Sequence, residues 1–124
     1  MTSTTKGVIS SLEKQLNLID RIMDNFDFHK VHRVMKMLNW KWAHSDSETG
    51  VPEEYELRNF ARNELNRVLA GVMDGHKEYQ TSCGGFEAYA KRWSAKELDD
   101  GKPCIQLILR FVVADWDADT SYDN

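Results

Sequence analysis

The sequence predicts an α+β domain in which N-terminal helices and one further helix pack on a small antiparallel β-sheet. Apolar residues recur at spacings of three and four through most of the first half of the chain, the rhythm of amphipathic helices. Beyond Gly75 the rhythm changes: Phe86, Ala88 and Ala90 alternate with Glu87, Tyr89 and Lys91, as in a half-buried strand. The run Ile105–Val113 is nearly all apolar, as expected of a strand in the middle of a sheet. Helices gathered early and strands gathered late favour an antiparallel sheet over βαβ units.

Taken in order, Thr4 or Thr5 to about Phe26 reads as the first helix. Its stripe is Val8, Leu12, Leu16, Ile19, Met23 and Phe26, with Ser and Thr as capping candidates. So long a stripe faces either the chain's own sheet or a second subunit. The next helix spans Asp27, its cap, to Leu38, with Val31, Val34, Met35 and Leu38 on the apolar side. Asn39–Trp42 alternates polar and aromatic residues and predicts a short strand with Trp40 and Trp42 on one face, followed by a loop from His44 to Gly50. Pro52 suits the first position of the third helix, and Glu53, Glu54 and Glu56 lie near its positive end. That helix carries Tyr55, Leu57, Phe60, Ala61, Leu65, Val68, Leu69 and Val72, and stops between Gly71 and Gly75. Glu78 to Arg92 is one bent strand or two strands joined at Gly84-Gly85. A turn follows over Leu98–Pro103, then the Cys104–Ala114 strand and an acidic tail from about Asp115 to Asn124.

One domain accounts for the 124 residues, of which 41% are hydrophobic and 29% charged. A formal net charge of −4 argues against a general DNA or anionic-membrane binder, while leaving room for a local basic pocket. Two cysteines, no signal-peptide core and no membrane-length apolar window point to a cytoplasmic protein with reduced thiols.

The motifs give little support to catalysis. His29 and His32 sit three apart on one helix, but no further ligands converge to make a zinc site. Asp115, Asp117 and Asp119 imitate a calcium loop whose glycine and closing glutamate are missing. Cys83 would need a base beside it, and His76 is near only in sequence. No phosphate-loop or dinucleotide motif occurs, so no cofactor is expected.

What the residues do suit is holding a small nucleotide. Trp40, Trp42, Phe86 and Trp93 offer rings for stacking, and Arg58, Arg62 and Arg110 offer forked donors for phosphates. Gly84 and Gly85 either let the chain pass close to a planar ligand beside Phe86 or form a plain bulge or hairpin corner. Arg110 interrupts an apolar strand and needs a partner, either Asp115 or an anionic ligand.

The segments Leu38-Asn39-Trp40-Lys41-Trp42, Val51-Pro52 with its helix, Gly84-Gly85-Phe86 and the closing apolar strand together resemble the bacteriophage Thoeris anti-defence sponge family, in its first-described type. The resemblance covers roughly residues 38 to 115. It implies a non-enzymatic, oligomeric protein of the host cytoplasm that sequesters cyclic ADP-ribose-type immune signals in pockets shared between subunits. Some members also bind cyclic oligonucleotides. By position it implies Phe86 against the adenine and Arg110 on the phosphates, while Trp40, Trp42, Arg58 and Arg62 are placed around the pocket from their chemistry. The rival readings are a small enzyme that degrades the same messenger and a phage inhibitor that binds a host protein directly.

Overall fold

In the computed structural model, which describes residues 2–9, 15–97 and 104–112, three helices pack on one face of a four-stranded antiparallel sheet. The elements are β1 (Thr2–Ile9), α1 (Gln15–Asn25), α2 (Phe28–Met37), α3 (Glu54–Met73), β2 (Glu78–Cys83), β3 (Phe86–Trp93) and β4 (Cys104–Val112). A 3₁₀ turn, Ala95–Glu97, follows β3. The α+β architecture predicted from the periodicities is therefore present, with spatial strand order β1-β4-β3-β2. The apolar run of β4 lies inside the sheet, between β1 and β3, as its composition requires.

The N-terminus corrects the expected helix from Thr4 or Thr5 to Phe26. Residues 2–9 form a strand, paired antiparallel with β4 from Thr2↔Val112 to Ile9↔Ile105, and the helix occupies only Gln15–Asn25. The threonines that read as caps are β-branched and accept an extended backbone. The edge that pairs with them lies at the far end of the sequence, where no local period records it. Leu12 lies outside the described residues. Of the stripe, Ile19, Met23 and Phe26 are buried in the chain's own core.

The second helix starts where its cap predicts: Asp27 accepts a hydrogen bond from the Lys30 N–H at 2.9 Å. It ends at Met37, capped by Leu38, and Asn39 with its φ of +50° then turns the chain. Residues 40–42 do not form the expected strand. The Trp42 N–H donates to the Gly50 carbonyl at 2.7 Å, and the Ser45 N–H to the Trp42 carbonyl at 3.1 Å, so this segment is a closed loop with both indoles turned inward. Pro52 stands just before α3 rather than opening it. Glu53 is the cap, and the Glu56 carboxylate accepts from its N–H at 2.9 Å.

One core joins the layers. Leu57, Ala61, Leu65, Val68 and Val72 of α3 meet Phe86, Ala88 and Ala90 of β3 and Leu107, Leu109 and Phe111 of β4, all fully buried. The opposite face of the sheet carries Glu87, Tyr89, Lys91 and Trp93, together with Gln106, Ile108 and Arg110, all at least partly exposed. The turn expected over Leu98–Pro103 and the acidic tail, with Asp115, lie outside the described residues. No helix among those described is long and apolar enough to cross a membrane.

Candidate functional site

The sequence-predicted residues occupy separate parts of the molecule. Phe86 is fully buried, with the rings of Phe26, Phe28, Phe60 and Phe111 at centroid distances of 4.9 to 6.2 Å. It is a core residue with no surface for a base to stack on. Gly84 and Gly85 form the two-residue turn between β2 and β3, at φ +64° and +90°, the left-handed geometry that tight hairpins demand. They do allow a close approach to planar groups, but those groups are the protein's own. A Cβ on Gly84 would lie 2.8 Å from Trp42 Nε1, and one on Gly85 would lie 2.6 Å from the Phe111 ring. Trp42 Nε1 donates to the Gly84 carbonyl at 2.8 Å, and Trp40 packs on Phe111 at 5.6 Å. Both indoles thus brace the hairpin.

The arginines do not converge either. Arg58 pairs with Glu54 at 3.0 Å and lies over the Phe28 ring, and Arg62 pairs with Asp20 at 2.9 Å, tying α3 to α1. Arg110 is exposed on the opposite face of the sheet, where Glu87 holds it at 2.7 Å. The expectation of a buried arginine needing Asp115 or a ligand is corrected by strand alternation: Leu109 and Phe111 point inward, so Arg110 points out.

A different set of side chains does come together. Where the α3–β2 connection meets the end of β3, a solvent-open concavity of about 760 Å³ is lined by Lys77, Arg92, Trp93, Ser94, Lys96 and Glu97. Hairpin register places two of its cations: equal steps back from Gly84-Gly85 bring Lys77 opposite Arg92, whose N–H donates to the Lys77 carbonyl at 2.8 Å. The Arg92 guanidinium reaches the Val72 carbonyl in the last turn of α3, a position the helix dipole favours for a cation. Lys77 pairs with Glu97 at 3.4 Å. The Ser94 N–H donates to Glu97 at 2.9 Å, and this bond, with Lys77 adding to it, holds the Glu97 carboxyl below the usual carboxylate range. The Trp93 indole donates to Gln106 at 3.2 Å and carries the Lys91 ammonium 4.0 Å from its ring centroid.

Three cations against one carboxylate make this a cation-rich concavity on a chain of net charge −4, with the Trp93 indole turned to the opposite face of the sheet, against Lys91 and Gln106. Sequence reasoning reached Trp93 but missed Lys77, Arg92 and Lys96. The signal was available in the hairpin itself, because two strands joined at Gly84-Gly85 oblige Lys77 and Arg92 to be neighbours.

The imidazole nearest Cys83 is that of His44, whose Nε2 lies 3.3 Å from Sγ, while His76 packs on Tyr79 instead. Among the described residues no group of three or more histidine, cysteine, aspartate or glutamate side chains is placed to hold a metal ion. No family model matches the chain, and no curated protein or solved structure matches it.

Proposed function

We propose that this chain is a non-catalytic binding protein that sequesters a small cyclic nucleotide immune signal of the glycocyclic ADP-ribose type. In this reading it is a phage anti-defence protein of the host cytoplasm, and a cyclic oligonucleotide is a further candidate ligand. One observation carries the reading: the basic concavity of Lys77, Arg92 and Lys96 beside Trp93, on an otherwise acidic protein. Pyrophosphate oxygens suit forked and ammonium donors. The motif resemblance supports the same ligand class. It does so with a different set of residues from Phe86 and Arg110, which belong to the core and to a surface ion pair.

Titration calorimetry with cyclic ADP-ribose isomers tests the proposal. The double variant Lys77→Ala/Lys96→Ala is expected to bind at least about tenfold more weakly, as removal of charge-assisted contacts implies. Unchanged affinity would move the site elsewhere. Heat-denaturing the loaded protein should release the ligand intact, whereas a hydrolysed product would identify an enzyme. Direct binding of a host protein is a second reading, favoured by the half-exposed Tyr89, Trp93 and Ile108 on the open face of the sheet. Capture of one stoichiometric host protein, with no bound small molecule, would replace the first reading with the second.

A further inference from the structure

At the tip of the β2–β3 hairpin, Cys83 Sγ lies 3.3 Å from His44 Nε2, across 39 residues of sequence. The arrangement is braced from several sides. The His44 ring packs on Phe60 at 4.6 Å and meets Trp42 edge-on at 5.2 Å, which fixes its plane. Ser45 Oγ and the Asp46 N–H donate to the Glu56 carboxylate at 3.0 and 2.7 Å, which ties the loop behind His44 to α3. The hairpin turn beside Cys83 is pinned by the Trp42–Gly84 hydrogen bond. Cys83 is half-buried and His44 exposed, so a small solute reaches the sulfur more readily than a folded partner would.

We propose that Cys83 and His44 form a thiol–imidazole pair that makes Cys83 a site of oxidation by a small hydroperoxide. The thiolate is the nucleophile, and an imidazole within hydrogen-bond reach is the group that generates it. Cys83 Sγ passes its proton to His44 Nε2 and attacks one peroxide oxygen. The O–O bond breaks as the S–O bond forms, and the departing hydroxide takes the proton back from His44 to leave as water. Sulfur loses two electrons and the peroxide gains them, so that thiol plus hydrogen peroxide gives sulfenic acid plus water. The chain's other cysteine, Cys104, pairs with Trp93 in register, seven strand steps from the Cys83↔Phe86 end of the same hairpin. At about 3.3 Å per step that is about 23 Å, too far for a disulfide, so the sulfenic acid persists until an external thiol meets it.

The test exposes the full chain to hydrogen peroxide with dimedone present and follows each thiol by peptide mass spectrometry. Cys83 is expected to be trapped at least about tenfold faster than Cys104 in the native protein. The two rates should become equal in urea. His44→Gln, which can still hydrogen-bond but cannot accept the proton, should remove the lead of Cys83 and leave the Cys104 rate unmoved. Equal native rates would overturn the proposal. So would a lead that survives in urea, where the fold no longer brings His44 to the sulfur, or one that survives in His44→Gln.

Discussion

Phe86 exposes none of its surface and touches rings from α1, α2, α3 and β4, or from the turns beside them. Phe86→Ala is therefore expected to cost about 3–5 kcal/mol of folding stability, the usual range for a truncated core phenylalanine. Arg110→Ala should cost less than about 1 kcal/mol, because its pair with Glu87 is half-exposed and solvent-screened. Urea denaturation of the two variants checks the contrast, and a larger loss from Arg110 than from Phe86 would refute the placement of both. The glycines before Phe86 add to this. Gly85→Val would force a branched side chain into a positive φ and against Phe111 and Trp40, so the variant should lose stability whatever the ligand. The sequence announced that something unusual happens at CGGF. It could not say whether the ring brought close to the glycines belonged to a ligand or to Trp42.

Among the elements, α3 shows how one carboxylate joins a helix to a loop. Glu56 accepts from the Asp46 N–H, the Glu53 N–H and Ser45 Oγ, and the first of these chiefly holds its carboxyl below the usual 4.5 despite partial desolvation. A carboxyl whose pKa falls on folding stabilises the fold fully above its unfolded value. That contribution fades as pH drops through the lower folded value. Wild type should thus exceed Glu56→Gln by about 1 kcal/mol at neutral pH, roughly the difference between hydrogen bonds to a charged and to a neutral acceptor. The gap should close on acidification below 4.5, as measured by urea denaturation at successive pH values. A gap independent of pH would mean that shape rather than charge fixes the loop. The elements themselves were largely legible. The Asp27 cap, the apolar stripe of α3 and the alternation of β3 are local patterns, and each appears within a residue or two of its predicted bounds. Residues 2–9 were not legible, because their strand exists only through pairing with β4.

At the scale of the whole molecule, Ile19, Met23 and Phe26 of the stripe once expected to face a partner are buried in the chain's own core, and the outer face of the sheet offers a surface for self-association. Tyr89, Trp93, Ile108 and Val112 give that face its apolar area. Light scattering of the wild type is expected to give a multiple of 14.4 kDa, and Ile108→Glu should return it to the monomer mass with little change in melting temperature. A wild-type monomer at micromolar concentration would end the reading of a shared pocket. By itself the sequence determined the α+β class, the helices over Phe28–Met37 and Glu54–Met73, the Gly84-Gly85 corner and the central place of β4. These follow from periodicity and backbone preference within a few turns or strand steps. Tertiary structure alone decided that the N-terminus is a strand, that Trp40 and Trp42 brace a hairpin, and that Phe86 belongs to the core. It alone brought Lys96 to Lys77 and Arg92, and His44 to Cys83. A period reports which side of an element is apolar. Which distant residues meet across that side is fixed only when the elements pack.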